Sequence, residues 1–206
     1  MNRSLPSAIG GGAAQNPTHH RRHVWQIFYA ILLSLGCSTV LQAQSKPSEY
    51  DVKAAYLFNF GKFIRVWPPA VPAKQGSFDI CIVGSDPMGR SLDALTANER
   101  IDGRPAHVRR LKDPSEARTC DIVYISSAEG ERIAGDIAAL HNGDALTVSD
   151  SPTFLANGGM IQFVLASDHV RFAVNLNAVK RTHVAVSSEL LRVAISVAGK
   201  NPVALP

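Results

Sequence analysis

The sequence has few of the residues with which enzymes and metal proteins carry out chemistry. It holds 3 cysteines and 7 histidines, and it has no Gly-x-Ser-x-Gly element that would present a serine nucleophile. The histidines beyond residue 43 stand far apart, without the short spacing that a compact metal site needs. They are His107, His141, His169 and His183. The sequence therefore predicts no catalytic residues, no metal site and no cofactor.

A glycine-rich stretch comes nearest to a nucleotide site, and its chemistry does not fit. Residues 84–91 read Gly-Ser-Asp-Pro-Met-Gly-Arg-Ser, which has the spacing of a phosphate-binding loop. Arg90 stands where that loop needs a lysine, whose compact ammonium group reaches the terminal phosphates. Pro87 removes one of the backbone amides that would surround them. We therefore expect an ordinary helix N-terminus here.

Residues 1–43 have the pattern of an export signal with a polar N-terminal extension. The basic run His19 to His23 leads into an apolar run of about a dozen residues, Val24 to Leu35, and Ala43 offers a cleavage point. The apolar run is shorter than the roughly 20 residues of a membrane span, so an uncleaved anchor is the less favoured alternative. A lipoprotein site at Cys37 is another, although Ser34 stands where such sites usually have leucine.

The charge balance changes when this segment is removed. The whole chain has a net charge of +4, and the first 43 residues contribute three arginines and no acid, which leaves +1 for residues 44–206. A nearly neutral remainder has no basic stripe that would bind nucleic acid. Its length is sufficient for one domain with a substantial core. We therefore expect a single exported domain over residues 44–206.

Apolar runs alternate with helical patterns along this domain. Strands are predicted at Phe78 to Val83, Pro105 to Arg109, Asp121 to Ser126, Ala145 to Val148, Met160 to Leu165 and Val170 to Asn175. Helices are predicted at Pro87 to Ala97, Gly130 to Leu140 and Ser187 to Val197. The first four strands with their helices are typical of βαβ units. We expect an α/β fold with a mostly parallel sheet, flanking helices, and a C-terminal antiparallel hairpin plus helix.

The longest helical pattern runs from Ser48 to Trp67. Ser48 and Asp51 form a variant of the capping box, and two prolines follow Trp67. Lys53 lies inside the apolar stripe of this helix, whereas Phe58 lies on the opposite, polar face. Either Lys53 extends to solvent and Phe58 is a scattered exposed ring, or both mark a contact with a ligand or a protein. The apolar stripe consists of Val52, Tyr56, Leu57, Phe60, Phe63, Ile64 and Trp67.

Two cysteines remain if the export signal is cleaved, because Cys37 leaves with it. Cys81 lies in one predicted strand and Cys120 at the start of another. In an oxidising compartment we expect a disulfide between them, and closing such a loop would stabilise the fold by roughly 3 to 4 kcal/mol. The alternative is a pair of free thiols, each packed as a small apolar side chain.

A loop with paired glycines precedes the predicted hairpin. Gly158 and Gly159 indicate backbone that needs a positive φ or close approach by another group. Arg171 and Asn175, on the neighbouring strand, could present polar groups beside this loop. A tight loop without a ligand is the alternative explanation.

In four stretches, taken in order, the chain resembles the YfiR-like family of periplasmic proteins. None of the four is a catalytic motif, and from first to last they span nearly the whole of residues 44–206. They are residues 52–60 with Trp67-Pro68, residues 82–87, residues 158–163, and residues 171–175 with 187–191. Some members of the family carry a further cysteine pair near the glycine loop, where this sequence has Leu155 and Gln162.

The resemblance implies a non-enzymatic periplasmic regulator, often a homodimer. Such a protein would bind the periplasmic sensor domain of a membrane diguanylate cyclase and repress it, lowering cyclic di-GMP and biofilm formation. On this hypothesis the partner would contact Tyr56, Phe58, Phe60 and Phe63. The alternative is a periplasmic small-molecule receptor for a membrane signalling protein, with Gly158, Gly159, Arg171 and Asn175 around a pocket.

Overall fold

The computed structural model describes residues 46–66, 76–140 and 143–199. The predicted export segment with Cys37 lies outside the described residues, as do Trp67 and His141. Lys46 to Pro206 form one unit of the chain. The fold described below belongs to this unit.

The helices described in this unit are short, and three 3₁₀ turns are described with them. The α-helices are α1 (Glu49–Phe60), α2 (Gly89–Thr96), α3 (Ile133–Leu140), α4 (Leu176–Val179) and α5 (Ser188–Val193). The 3₁₀ turns span Gly61–Phe63, Pro114–Thr119 and Ser127–Arg132. The predicted capping box is present at α1, where Ser48 accepts a hydrogen bond from the Asp51 amide and the Asp51 carboxylate accepts one from the Ser48 amide.

Ten strands are described, and eight of them form one sheet. They are β1 (Ile64–Val66), β2 (Phe78–Val83), β3 (Arg100–Ile101), β4 (Arg104–Leu111), β5 (Ile122–Ile125), β6 (Leu146–Ser149), β7 (Ile161–Ala166), β8 (His169–Asn175), β9 (Val184–Val186) and β10 (Ser196–Ala198). The sheet has the order β10-β8-β7-β6-β5-β2-β4-β3, and β1 pairs separately with β9.

The sheet is mostly parallel, as predicted. Strands β4, β2, β5, β6 and β7 run parallel to one another, whereas β7 and β8 form the predicted antiparallel hairpin. The turn of this hairpin consists of Ser167 and Asp168, both with positive φ, the geometry that two-residue hairpin loops require. The α/β class, the parallel sheet and the hairpin are confirmed.

Each face of the sheet is covered by its own apolar layer, because alternate residues of a strand point to opposite faces. Ile80 and Ile82 of β2 join the layer beneath α1 and α2, and Cys81 and Val83 join the layer beneath α3. Helix α1 packs against both α2 and β8. Helix α1, which the longest helical pattern predicted, thus packs between the sheet and α2.

Two predicted helices are too long. The first ends at Phe60, and Ile64 to Val66 form β1, which pairs antiparallel with β9. The last ends at Val193, and Ser196–Ala198 form β10 beside β8. In both cases β-branched residues pair with a strand that is distant in sequence. Such tertiary pairing overrides a local helical pattern.

Candidate partner-binding site

The four aromatic rings of the predicted contact surface do not share one exposed face. Phe60 and Phe58 are buried, at 1% and 5% exposure. Tyr56 is half-buried and packs against Phe60, Phe163 and Phe172. Phe63, with 36% of its surface exposed, is the one ring of the four that can reach a partner without rearrangement.

The expectation that Phe58 lies on an exposed face is wrong, and helix α2 explains why. Asp51 lies seven residues before Phe58, about two helical turns, so the two share one side of α1. The Asp51 carboxylate accepts a hydrogen bond from Ser91 of α2, which shows that this side faces the second helix. The Lys62 ammonium also lies 4.6 Å from the centre of the Phe58 ring.

Lys53 does not extend to solvent, which corrects the first alternative for it. Its ammonium group is buried and contacts two carboxylates, at 2.7 Å from Asp150 and 2.6 Å from Glu49. It also lies 4.5 Å from the centre of the Tyr50 ring. Asp150 follows β6 and is only 8% exposed, whereas Glu49 is 43% exposed. The pair fixes the amino end of α1 to the carboxyl end of the parallel sheet.

The surroundings of Lys53 and Asp150 favour the charged form of both side chains. Burial alone would lower the pKa of Lys53, but hydrogen bonds and charge from Asp150 and Glu49 outweigh it and raise that pKa. Burial likewise opposes ionisation of Asp150, and Lys53 together with Tyr124 nevertheless lowers its pKa. Burial, and then the charge on Asp150, raises the pKa of Tyr124. The ion pair is therefore charged at neutral pH.

The carboxyl end of the segment from Ser48 to Val66 borders a shallow groove, which we name the Phe63 groove. The 3₁₀ turn brings Phe63 beside β9, and the Ser187 amide donates a 2.9 Å hydrogen bond to the Phe63 carbonyl. Arg65 and Glu189 are 58% and 57% exposed at its rim. The groove has a volume of about 440 Å³ and is lined by Lys62, Phe63, Arg65, Ala185, Val186, Ser187 and Glu189.

The glycine loop is closed by its own side chains. A Cβ on Gly159 would lie 2.3 Å from the Phe154 ring, and Gly158 has a φ of +95°. Asn175 donates to the Leu155 carbonyl at 3.2 Å and accepts from the Ala178 amide, so it joins the loop to α4. These contacts explain both glycines without a ligand. Arg171 is exposed on the same strand, and a ligand role for these four residues stays a prediction.

Cys81 and Cys120 form a disulfide, with 6.1 Å between their Cα atoms. Both residues are fully buried, beneath α3. The bond joins β2 to the residue that ends the Pro114–Thr119 turn, 39 positions apart. A reductant in solution can reach these sulfurs only after this part of the fold opens.

The glycine-rich stretch after β2 is a helix N-terminus, as expected. Asp86 accepts hydrogen bonds from the amides of Met88 and Gly89, at 2.9 and 3.0 Å. Gly84 has a φ of +83°, and the Glu129 carboxylate occupies the space where a Cβ would stand. The Met88 and Gly89 amides are therefore already hydrogen-bonded within the chain.

Other groups that could carry chemistry stand apart. Over residues 46–66, 76–140 and 143–199, no three His, Cys, Asp or Glu side chains are grouped to hold a metal ion. His183 contacts Asp144 at 2.8 Å. Among the helices of the same ranges, none is long and apolar enough to cross a membrane.

Sequence reasoning missed two features of the surface and the core. The Lys53–Asp150 pair joins residues 97 positions apart, and only the apolar position of Lys53 in its helix hinted at a buried partner. Three large apolar side chains were also not singled out, although they are more than half exposed. They are Leu165, Val193 and Ile195.

Comparison with known proteins adds a family to this geometry. The model of the YfiR/HmsC-like family matches residues 50–195. A solved structure, a conserved domain protein from Vibrio cholerae, is 12% identical, with a TM-score of 0.49 over 74% of this chain and 61% of that one. This chain therefore spans less than two thirds of that protein. The sequence matches none of the curated proteins. Because the family model covers most of the chain, from α1 to the residue before β10, this protein belongs to the YfiR/HmsC-like family.

Proposed function

We propose that this protein is a non-enzymatic periplasmic regulator that binds the periplasmic sensor domain of a membrane diguanylate cyclase and represses it. The observation that carries the proposal is the family match over residues 50–195. Repression of the cyclase lowers cyclic di-GMP, and biofilm formation falls with it.

The disulfide supports a periplasmic location. Bonds of this kind persist in the periplasm and are rare in the cytosol, and the Cys81–Cys120 bond lies in the core. The predicted export signal over residues 1–43 accords with the same location.

The Phe63 groove is the contact surface of the proposed complex. Aromatic rings that are half exposed beside charged residues are typical anchors in protein interfaces. Phe63 supplies the ring, Lys62 and Arg65 supply positive charge, and Glu189 supplies negative charge. A sensor-domain loop with one apolar side chain and an acidic neighbour would fill the groove and pair with Lys62 or Arg65.

The test is made in cells that carry the cyclase. Deleting the gene for this protein is expected to raise cyclic di-GMP, and expressing the full chain is expected to lower it again. A Phe63→Glu variant places a charge in the groove and is expected to fail, because burying an unpaired carboxylate is costly. Leu165→Glu is the matched control, since Leu165 is 58% exposed on another part of the fold.

Two outcomes would contradict the proposal at different levels. If deletion leaves cyclic di-GMP unchanged, the protein does not repress a cyclase under these conditions and the function is wrong. If Phe63→Glu restores repression as well as the wild type does, the function stands and the Phe63 groove is not the contact.

A further inference from the structure

Strand β4 leaves most of one edge of the sheet open. Its residues 106–111 pair with β2 on one side, but β3 on the other side is only two residues long and covers Arg104 and Pro105. The Ala106 amide makes one more outward hydrogen bond, of 2.9 Å, to the Glu99 carbonyl. From residue 107 onward the strand continues without an outer neighbour among the described residues.

The direction of each backbone group on this edge follows from two hydrogen bonds. The Ala106 amide points outward to Glu99, and the Leu111 carbonyl points inward to the Gly84 amide. Because the amide and carbonyl of a strand residue share one side and alternate along a parallel strand, Val108 and Arg110 direct theirs outward. Over the ranges 46–66, 76–140 and 143–199, these outward backbone groups have no hydrogen-bond partner.

Beside this edge lies a concave space large enough for a short peptide. Its volume is about 740 Å³, and it extends from the end of α2 along the Asn98–Arg100 segment to β4. Val108 and His107 form part of its wall on the strand, and Asp93 part of its wall on the helix. An open strand edge beside a groove is the arrangement to which extended peptides add as a further strand.

We propose that an extended, acidic segment of a partner protein binds along β4 as an additional strand of the sheet. The outward groups of Val108 and Arg110 supply the main-chain hydrogen bonds. The inference is independent of the Phe63 groove, which lies beside β1 and β9, and does not require that the partner be a cyclase.

Charge favours an acidic occupant. Residues 104–112 contain four arginine or lysine residues and no acid. The Arg109 side chain is 37% exposed, whereas the Asp79 carboxylate that it contacts at 3.4 Å is only 17% exposed. The Arg110 side chain is 41% exposed and contacts both Asp86, which is 12% exposed, and Asp93, which is 46% exposed. Two of the three acids therefore lie beneath the guanidinium groups, and Asp93 lies at the surface beside Arg110. Because Arg109 and Arg110 point to opposite faces of the sheet, a glutamate or aspartate on an added strand would meet one of these guanidinium groups at close range.

A second copy of this chain is a poorer occupant of the same edge. In a two-fold symmetric pair the two β4 strands would run antiparallel. The registers that use the outward amides of both Val108 and Arg110 are centred on residue 108, 109 or 110. The register centred on 108 places Arg110 opposite Ala106, whose amide already donates to the Glu99 carbonyl. The other two place Arg109 opposite Arg109 or Arg110 opposite Arg110, and like charges directly opposite destabilise a sheet.

The test uses the protein purified from the envelope fraction of expressing cells and two capped peptides. One peptide of about seven residues alternates valine with glutamate, and the other has lysine in place of glutamate. Amide hydrogen exchange and binding are measured by NMR. The acidic peptide is expected to bind and to slow exchange of the Val108 and Arg110 amides at least about tenfold, and the basic peptide is not.

Val108→Pro sharpens this test, because proline removes one outward donor and is tolerated at an edge-strand position whose amide faces solvent. The control Val108→Ala keeps the amide, and we expect Val108→Pro to weaken binding about tenfold more than this control does. If the proline variant fails to fold, the exchange measurement on the wild type still decides.

Three results would overturn the proposal. One is that neither peptide slows exchange at the Val108 and Arg110 amides. Another is equal binding of both peptides, which would remove the charge argument. A third is protection of the two amides that rises with protein concentration in the absence of peptide, which would assign the edge to a second copy.

Discussion

The two ends of the segment from Ser48 to Val66 differ in burial: the amino end is fixed to the sheet, and the carboxyl end is partly exposed. At the amino end, a capping box and the buried Lys53–Asp150 pair fix α1 to the sheet and leave its charged groups satisfied. At the carboxyl end the helix stops at Phe60, and Phe63 emerges with 36% of its surface exposed. One continuous apolar pattern thus serves stability over its first part and, on our proposal, recognition at its end.

This contrast shows what a helical pattern leaves undetermined. A side chain opposite the main apolar face can be buried if a second helix covers it, as α2 covers Phe58. A charged side chain inside the apolar face can be buried if a distant carboxylate meets it, as Asp150 meets Lys53. Exposure is decided by the neighbours of a helix as well as by its own period.

The largest expected effect comes from removing the buried partner of Lys53. Asp150→Ala leaves the ammonium group in the core with only the more exposed Glu49, and should lower the free energy of unfolding by roughly 3–5 kcal/mol. Urea denaturation measures the loss. Glu49→Ala is the matched control and should cost less than about 1 kcal/mol, because Glu49 is 43% exposed. If the two variants lost equal unfolding free energy, the Lys53–Asp150 pair would not be what fixes the amino end of α1 to the sheet.

The next effect separates two rings of the same segment. Phe58→Ala should lower the free energy of unfolding by about 3 kcal/mol, since it opens a cavity between α1 and α2. Phe63→Ala should change it by less than about 1 kcal/mol, because the ring is already part exposed. Thermal and urea denaturation give both values. If Phe63→Ala proved as destabilising as Phe58→Ala, the carboxyl end would be core and not a contact surface.

A smaller effect is expected from the cap. Ser48→Ala removes the side-chain acceptor for the Asp51 amide, and a lost N-cap costs about 1 kcal/mol. The same denaturation experiment measures it. Ser48→Asp keeps an acceptor at the cap and should recover most of the stability. No change on Ser48→Ala would mean that the ion pair alone fixes this end.

The pH dependence of stability tests the ion pair without altering the protein at neutral pH. The pKa of Asp150 is lowered in the fold, so its contribution is complete above the unfolded pKa of about 4 and is lost as pH falls through the lower, folded pKa. The unfolding free energy measured between about pH 6 and pH 2 should therefore decline at the acid end. Asp150→Asn should show a shallower decline over the same range, and an identical slope would contradict the assignment.

Local patterns in the sequence were enough to predict the strands of the parallel sheet and the hairpin. The run Phe78 to Val83 is apolar on both faces because the sheet is covered on both, and this is visible without a structure. The ends of the first and last helices were predicted wrongly, since Ile64 to Val66 and Ser196 to Ala198 become strands only through distant partners.

The candidate site was less accessible to sequence reasoning. The disulfide could be predicted because a cysteine pair in a domain with a predicted export signal has few alternatives. The Lys53–Asp150 pair could not, because nothing in the sequence relates two residues 97 positions apart. The choice of Phe63 among four similar rings also required the fold, since only the end of α1 and the pairing of β1 with β9 leave it at the surface.

The most direct test of the proposed contact at the Phe63 groove is photo-crosslinking in living cells from position 63. A photoreactive amino acid replaces Phe63 in the full chain, and a second strain carries it at the exposed Leu165. We predict a crosslink between position 63 and a membrane diguanylate cyclase, and none from position 165. Crosslinks to the cyclase from both positions alike, or from neither, would contradict a regulator that binds through the Phe63 groove.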